Sequence, residues 1–202
     1  MYNCDKYLLT GNLMPTITGL RPLDVEFKVS GKKELISETD LKGVITYANE
    51  DFSELSGHSI EKLEGSPHNL IRHIDMPETV FKILWDNLKV GRDYKAVVQN
   101  KRADGRYYWV YSEYFPLYDE NRKMYGYRSK RYPVSKKIVA DVAAIYKKLL
   151  DLERTKSPRE AEMFLELKLH NDGFHDYKEF IEHLYDTRLK GVTSFFKKLF
   201  GK

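Results

Sequence analysis

The pair Asp104-Gly105 does most to limit how this chain can fold. It separates two runs rich in Val, Tyr and Trp, residues 93–101 and 106–116, and glycine supplies the positive φ that a tight reversal demands. Those runs are therefore expected as neighbouring antiparallel strands. Asp119-Glu120-Asn121 makes a looser second turn into a strand over 124–132, which completes a three-stranded meander. Side chains alternate along a strand, so Tyr94, Ala96, Val98 and Asn100 share one face. An amide thus ends an otherwise mostly apolar row, and a polar group placed inward must find a partner.

Upstream, residues 35–38 and 44–48 read as two short strands joined by Asp40-Leu41-Lys42-Gly43. Between Asn49 and Leu88 the pattern changes to short helical pieces punctuated by Gly57, Gly65, Pro67 and Pro77. The last is the longest: Pro77 sits in a first turn and Val80, Phe81, Leu84, Trp85 and Leu88 form one stripe of a helix over 77–89. Hairpin, helical connection and meander together predict an α+β domain, a five-stranded antiparallel sheet with its helices on one side.

After Pro133 the chain turns helical. Ile138, Val142, Ile145, Leu149 and Leu152 are spaced by alternating fours and threes, the seam of a short coiled coil or of a helix lying in a groove. That seam suits a twin chain, a receptor helix bundle or the chain's own later helices, and the spacing does not choose among them. Ser157-Pro158-Arg159-Glu160 is a capping box opening a helix that runs to about residue 169. A third helix begins near Asp176 and buries Phe180, Ile181, Leu184 and Tyr185. The stretch from Phe195 to Phe200 is short, basic and apolar on one side, which suits either a membrane surface or docking onto the protein itself.

Composition closes off several classes of function. The 34 basic and 30 acidic residues are interleaved and leave a net charge of +4, too little for a nucleic-acid surface. Cys4 is the single cysteine, which excludes an intramolecular disulfide and a multi-thiolate zinc site, and points to a reducing compartment. Residues 1–32 show no sustained period and read as a leader that is not a secretory signal; no stretch approaches a membrane span. A cytoplasmic protein is the expectation.

Residues 33–135 resemble the PAS domain of the bacterial aerotaxis receptor family. The likeness is carried by Ala48-Asn49, Leu55-Ser56-Gly57, the run from Gly65 through His68 and Asn69, Arg72-His73-Ile74-Asp75-Met76-Pro77, Trp85, Asn100-Lys101-Arg102, Gly105, Tyr108-Trp109-Val110 and Gly126-Tyr127. Ile74 stands where the family usually has proline. The resemblance implies a PAS fold that binds FAD and senses the redox state of electron transport to bias swimming. Residues 136–202 would then be a helical output region acting on a membrane-bound chemotaxis-type signalling protein, as in the PAS half of a bipartite energy-taxis system. A homodimer, and peripheral membrane contact through the tail, are further partners this reading leaves open.

No Gly-x-Gly-x-x-Gly turn follows a strand, so charged side chains would have to hold a pyrophosphate. Arg72 is the prime candidate because its planar fork donates two parallel bonds, and His73 adds a donor. Asp75 would orient one of these cations or cap the helix near Pro77. The resemblance places Arg72, His73 and Asp75 at positions the family needs for FAD. Trp85 is a candidate wall for the isoalloxazine ring, with Asn49 and Asn100 as amide partners at its polar edge. Each has a plainer reading: Trp85 as core, Asn49 as a helix cap, His68 as structural and Trp109 as sheet packing. The region offers no nucleophile with a paired base and no metal-ligand histidine spacing, so an enzyme is not expected. The alternatives kept are a haem-binding PAS gas sensor, with His68 or His73 as axial ligand, and a ligand-free dimerisation or docking module.

Overall fold

The computed structural model describes residues 24–29, 31 and 34–186. Cys4 and most of the leader, Gly191 and the apolar tail lie outside the described residues.

Five strands, β1 (Leu35–Asp40), β2 (Ile45–Ala48), β3 (Tyr94–Lys101), β4 (Tyr107–Tyr118) and β5 (Met124–Pro133), form one antiparallel sheet in the order β2-β1-β5-β4-β3. The β1–β2 and β3–β4–β5 hairpins are where the turn residues put them. The β3–β4 loop closes with Arg102 N–H donating to Arg106 O at 2.8 Å, and Gly105 takes φ 86°. The Asp104 carboxylate accepts from the Arg106 guanidinium and is held well below the usual carboxylate range by that bond. In the β4–β5 turn the Asp119 carboxylate accepts from the N–H groups of Asn121 and Lys123, an Asx-type arrangement.

The last strand in sequence, β5, lies in the middle of the sheet between β1 and β4. Gly126 makes this packing possible: a Cβ there would land on the carbonyl oxygen of Thr39 in β1.

Between β2 and β3 run α1 (Glu50–Ser56), α2 (Ile60–Leu63), a single 3₁₀ turn (His68–Ile71) and α3 (Glu78–Lys89). These cover one face of the sheet, the inner face. Its rows include Tyr94, Ala96, Val98 and Asn100 from β3 and Tyr127, Ser129 and Arg131 from β5, all buried. The α3 stripe buries Thr79, Val80, Leu84 and Leu88 against it.

The C-terminal helices are α4 (Lys136–Thr155), α5 (Pro158–Asn171) and α6, described over 177–186. Ile138, Val142, Ile145 and Leu149 of the α4 seam are buried in the same core as the sheet, so among the three destinations that spacing allowed, the described residues show the chain's own fold. Tyr146 of α4 stacks near Trp109, with centroids 6.3 Å apart, and Tyr185 of α6 lies 4.0 Å from Tyr111. Trp109 and Tyr111 point away from the inner face, so α4 and α6 cover the outer face of β3 and β4.

The exposed edge of β3 is also occupied. Tyr146 donates its hydroxyl to Val97 O at 2.6 Å, Gln99 N–H points at the Met76 sulfur at 3.2 Å, and Arg72 forms a backbone bridge with Asn100. An edge strand with unpaired groups is a template for aggregation, and here side chains and a loop take those groups up.

Candidate functional site

The inner face carries a polar cluster centred on Arg131. Alternation along β5 sends Tyr127, Ser129 and Arg131 to one side, and the central place of β5 carries that side into the core, where Arg131 is 1% exposed. One guanidinium nitrogen donates to Ser37 Oγ at 3.0 Å and to His68 Nε2 at 2.7 Å. Its Cζ lies 4.2 Å from the centre of the Phe52 ring. Among the described residues Nε and Nη1 have no hydrogen-bond partner, and neither do the nearby hydroxyls of Ser112 and Ser129. Among the described residues no carboxylate pairs with this cation; burial lowers its pKa, while the phenols of Tyr114 and Tyr108 act in the opposite sense.

His68 answers the guanidinium. Arginine only donates, so Nε2 must carry the lone pair and the imidazole is neutral with its proton on Nδ1. Burial, with the Arg131 charge beside it, takes the His68 pKa down to about 3. Ser37 Oγ lies 3.4 Å from the same Nε2, but the lone pair is already engaged by Arg131, so this pair lacks the free base that would activate a nucleophile.

Asn100 is 5% exposed and stands directly across from Tyr108 on β4. Burial pushes the Tyr108 phenol up to about 12, against the opposing pull of Arg131 and of the Asn100 amide beside it. Among the described residues no well-formed hydrogen bond joins that phenol to a partner. Trp85, half-buried on α3, meets Tyr127 edge-on at 5.5 Å and lies against Gly43 in the β1–β2 turn.

Arg72, His73 and Asp75 follow the 3₁₀ turn and run along the end of β3. The Arg72 guanidinium donates to Met76 O at 3.0 Å and lies 4.9 Å from the Phe81 ring centre. Burial lowers its pKa, and the carboxylates of Glu78 and Glu153 oppose that. His73 is 5% exposed, its ring edge-on to Tyr107, and Nδ1 accepts from Asp75 N–H at 3.2 Å. The Asp75 carboxylate lies 3.7 Å from the same nitrogen, so it faces His73 and does not cap α3. The N-cap position of α3 is Pro77, which has no capping side chain.

Asn49 has the plainer role. Its Oδ1 accepts from Phe52 N–H and Ile36 N–H, both at 3.0 Å, and its Nδ2 donates to Glu34 O at 2.5 Å. The amide therefore ties the start of α1 to β1. Both histidines raised as haem ligands have a ring nitrogen engaged within the protein.

Arg72 and Asn100 are thus brought together at one end of β3, with His73 and Asp75 beside them, while Trp85 stands over the inner face against β5. Arg131 and its hydroxyl neighbours were missed by sequence reasoning, and His68 was read as structural or as a haem ligand, not as the acceptor for a buried arginine. The signal was the alternation Tyr127, Ser129, Arg131, which carries meaning only once β5 is known to be central.

Comparison with known proteins agrees with this architecture. The family profile described as the PAS fold matches residues 45–129. The aerotaxis receptor of Escherichia coli K12 is 40% identical over 115 residues, which is 57% of this chain and 22% of the receptor. The bacterioopsin transcriptional activator of Halobacterium salinarum is 26% identical over 102 residues, 50% of this chain and 15% of that protein. Among solved structures, a PAS domain from Colwellia psychrerythraea superposes with a TM-score of 0.47 at 25% identity, covering 51% of this chain and 87% of that one. The chain spans less than a quarter of the length of these two relatives. Sheet order, helical connection and the match over residues 45–129 agree on a PAS fold for the central part of this chain, which is similar in sequence to the aerotaxis receptor.

Proposed function

We propose that this PAS domain binds FAD on its inner face and reports the cofactor's redox state, through the C-terminal helices, to a chemotaxis-type signalling protein. The observation that carries the reading is the buried Arg131 guanidinium, which among the described residues has two N–H-bearing nitrogens without a partner and no carboxylate beside it. Leaving such groups unmet costs about 1–3 kcal/mol each, and a native core rarely keeps several without a use.

The residues present fit a flavin. Arg131, Ser129 and Tyr108 offer donors to an electron-rich carbonyl edge; Asn100 offers a donor and an acceptor; Phe52 and Trp85 supply flat apolar walls. Arg72 and His73, at the end of β3, suit an anionic pyrophosphate. A bound flavin supplies reversible electron uptake, and the protein's part is to hold it and to meet the change in charge. Arg131 answers any gain of negative charge on the inner face. The neutral His68 behind it accepts from the same guanidinium, so the His68 contact strengthens or slackens as Arg131 turns towards the ring. From Arg131 the response has a short route outwards: β4 pairs with both β5 and β3, and β3 holds α4 through Val97 and Tyr146.

The test is extraction and identification of the chromophore from freshly purified full-length protein, repeated on Arg72→Ala. Released FAD from the wild type, with clearly less from the variant at unchanged circular dichroism, is expected. A colourless protein that stays colourless with added FAD would refute the reading, and an intense Soret band would replace it with haem.

A further inference from the structure

The N-terminus of α3 has no cap of its own, because Pro77 offers no side-chain acceptor. Its cap comes from the last turn of α4. Glu153 accepts from Glu78 N–H at 3.2 Å with one oxygen, and from Thr79 N–H at 2.8 Å and the Thr79 hydroxyl at 2.7 Å with the other. The first α3 residues lie immediately after the Arg72 to Pro77 loop, and the Glu153 carboxylate is one of the two whose charge acts on the Arg72 guanidinium.

One carboxylate on α4 therefore caps the start of α3 within the field of the Arg72 guanidinium. The proposed function places a second anion, the FAD pyrophosphate, on that same guanidinium. Two anions at one locus repel, and each weakens the hold of the other.

We propose that Glu153 is the latch joining cofactor occupancy to the docking of α4: pyrophosphate at Arg72 loosens Glu153 from the α3 N-terminus and releases the C-terminal turn of α4. This inference rests on the FAD reading and adds the contact that regulates it. The rest of α4 stays seated, because Val142 and Leu149 are fully buried and Tyr146 is bonded to Val97 O. Release is thus confined to the turn after Leu149 and to its junction with α5. Linkage makes the effect reciprocal: whatever frees Glu153 must tighten FAD.

The experiment titrates FAD into full-length wild type, Glu153→Ala and Glu153→Gln, following flavin fluorescence at low and high salt, with amide hydrogen exchange on the wild type with and without FAD. The latch predicts that both variants bind FAD about fivefold or more tightly, that the ratio shrinks as salt rises, and that FAD speeds exchange at Thr79 and over 150–155. A merely structural cap predicts the reverse: weaker or equal binding in the variants and unchanged or slower exchange at Thr79. That result overturns the latch while leaving FAD binding intact. Absence of FAD binding to all three proteins overturns the functional reading, and the latch with it. The glutamine variant preserves side-chain size should the alanine variant fail to fold.

Discussion

Lowering the pH below 6.5 should destabilise this protein by a measurable amount through one residue, His68. In the folded state its Nε2 accepts from Arg131, and its pKa falls to about 3. The unfolded chain exposes an ordinary imidazole that takes up a proton near pH 6.5. Above that value neither state is protonated and His68 contributes no slope. As the pH falls from 6.5 towards 3 only the unfolded state gains the proton, so stability is lost progressively through that window. Each pH unit costs about 1.4 kcal/mol, which makes about 2 kcal/mol between pH 6.5 and 5 and up to about 5 kcal/mol by pH 3. Urea unfolding at pH 7.5, 6.5, 5.5 and 5.0 measures this directly. The amide oxygen of His68→Gln can still accept from Arg131 but does not titrate. The difference between wild type and variant isolates His68 from His58 and His73, whose pKa values burial also lowers. Between pH 6.5 and 5.0 the wild type should lose about 2 kcal/mol more than the variant. Equal slopes for the two proteins would refute the neutral, arginine-bound imidazole.

Three further substitutions probe the frame around the site. Gly126→Ala forces a methyl group onto the Thr39 backbone and should cost about 3 kcal/mol or more by chemical denaturation, or leave the protein insoluble. Tyr146→Phe removes the hydroxyl that reaches Val97 O and the Tyr177 hydroxyl, and should lower stability by about 1–2 kcal/mol while speeding hydrogen exchange in β3. Arg131→Met should shift cofactor-free stability by no more than about 2 kcal/mol in either direction, because two lost hydrogen bonds are offset by removing a buried, unpaired cation. A loss of about 3–5 kcal/mol, as on breaking a buried ion pair, would mean that Arg131 is charge-paired in the cofactor-free protein and would contradict this reading.

The strands, their turns and the α3 stripe were legible because each rests on local chemistry: an Asp-Gly reversal, alternation, a proline in a first turn. Asn49 was legible as a residue of consequence but ambiguous in role, since the same short amide caps a helix or meets a ring. The seam of α4 shows a different limit, for the same fours and threes serve a coiled coil or a groove in the chain's own fold. Arg131 was hidden for a physical reason. The segment Tyr127-Arg128-Ser129-Lys130-Arg131 places basic residues on both faces, the pattern of a solvated strand, and only the long-range pairing of β5 with β1 and β4 turns one face inwards. Glu153 was hidden likewise, because it caps a helix that begins 75 residues before it in the chain.

If the Arg131 cluster holds the flavin, an equilibrium titration of FAD into cofactor-free wild type and Arg131→Met, with the unfolding temperature followed alongside, separates the two proteins. Saturable binding by the wild type is expected, with stabilisation of about 2.7 kcal/mol at a hundredfold excess over Kd, and binding weakened at least tenfold in a variant of comparable cofactor-free stability. Equal affinity in the two proteins would contradict it.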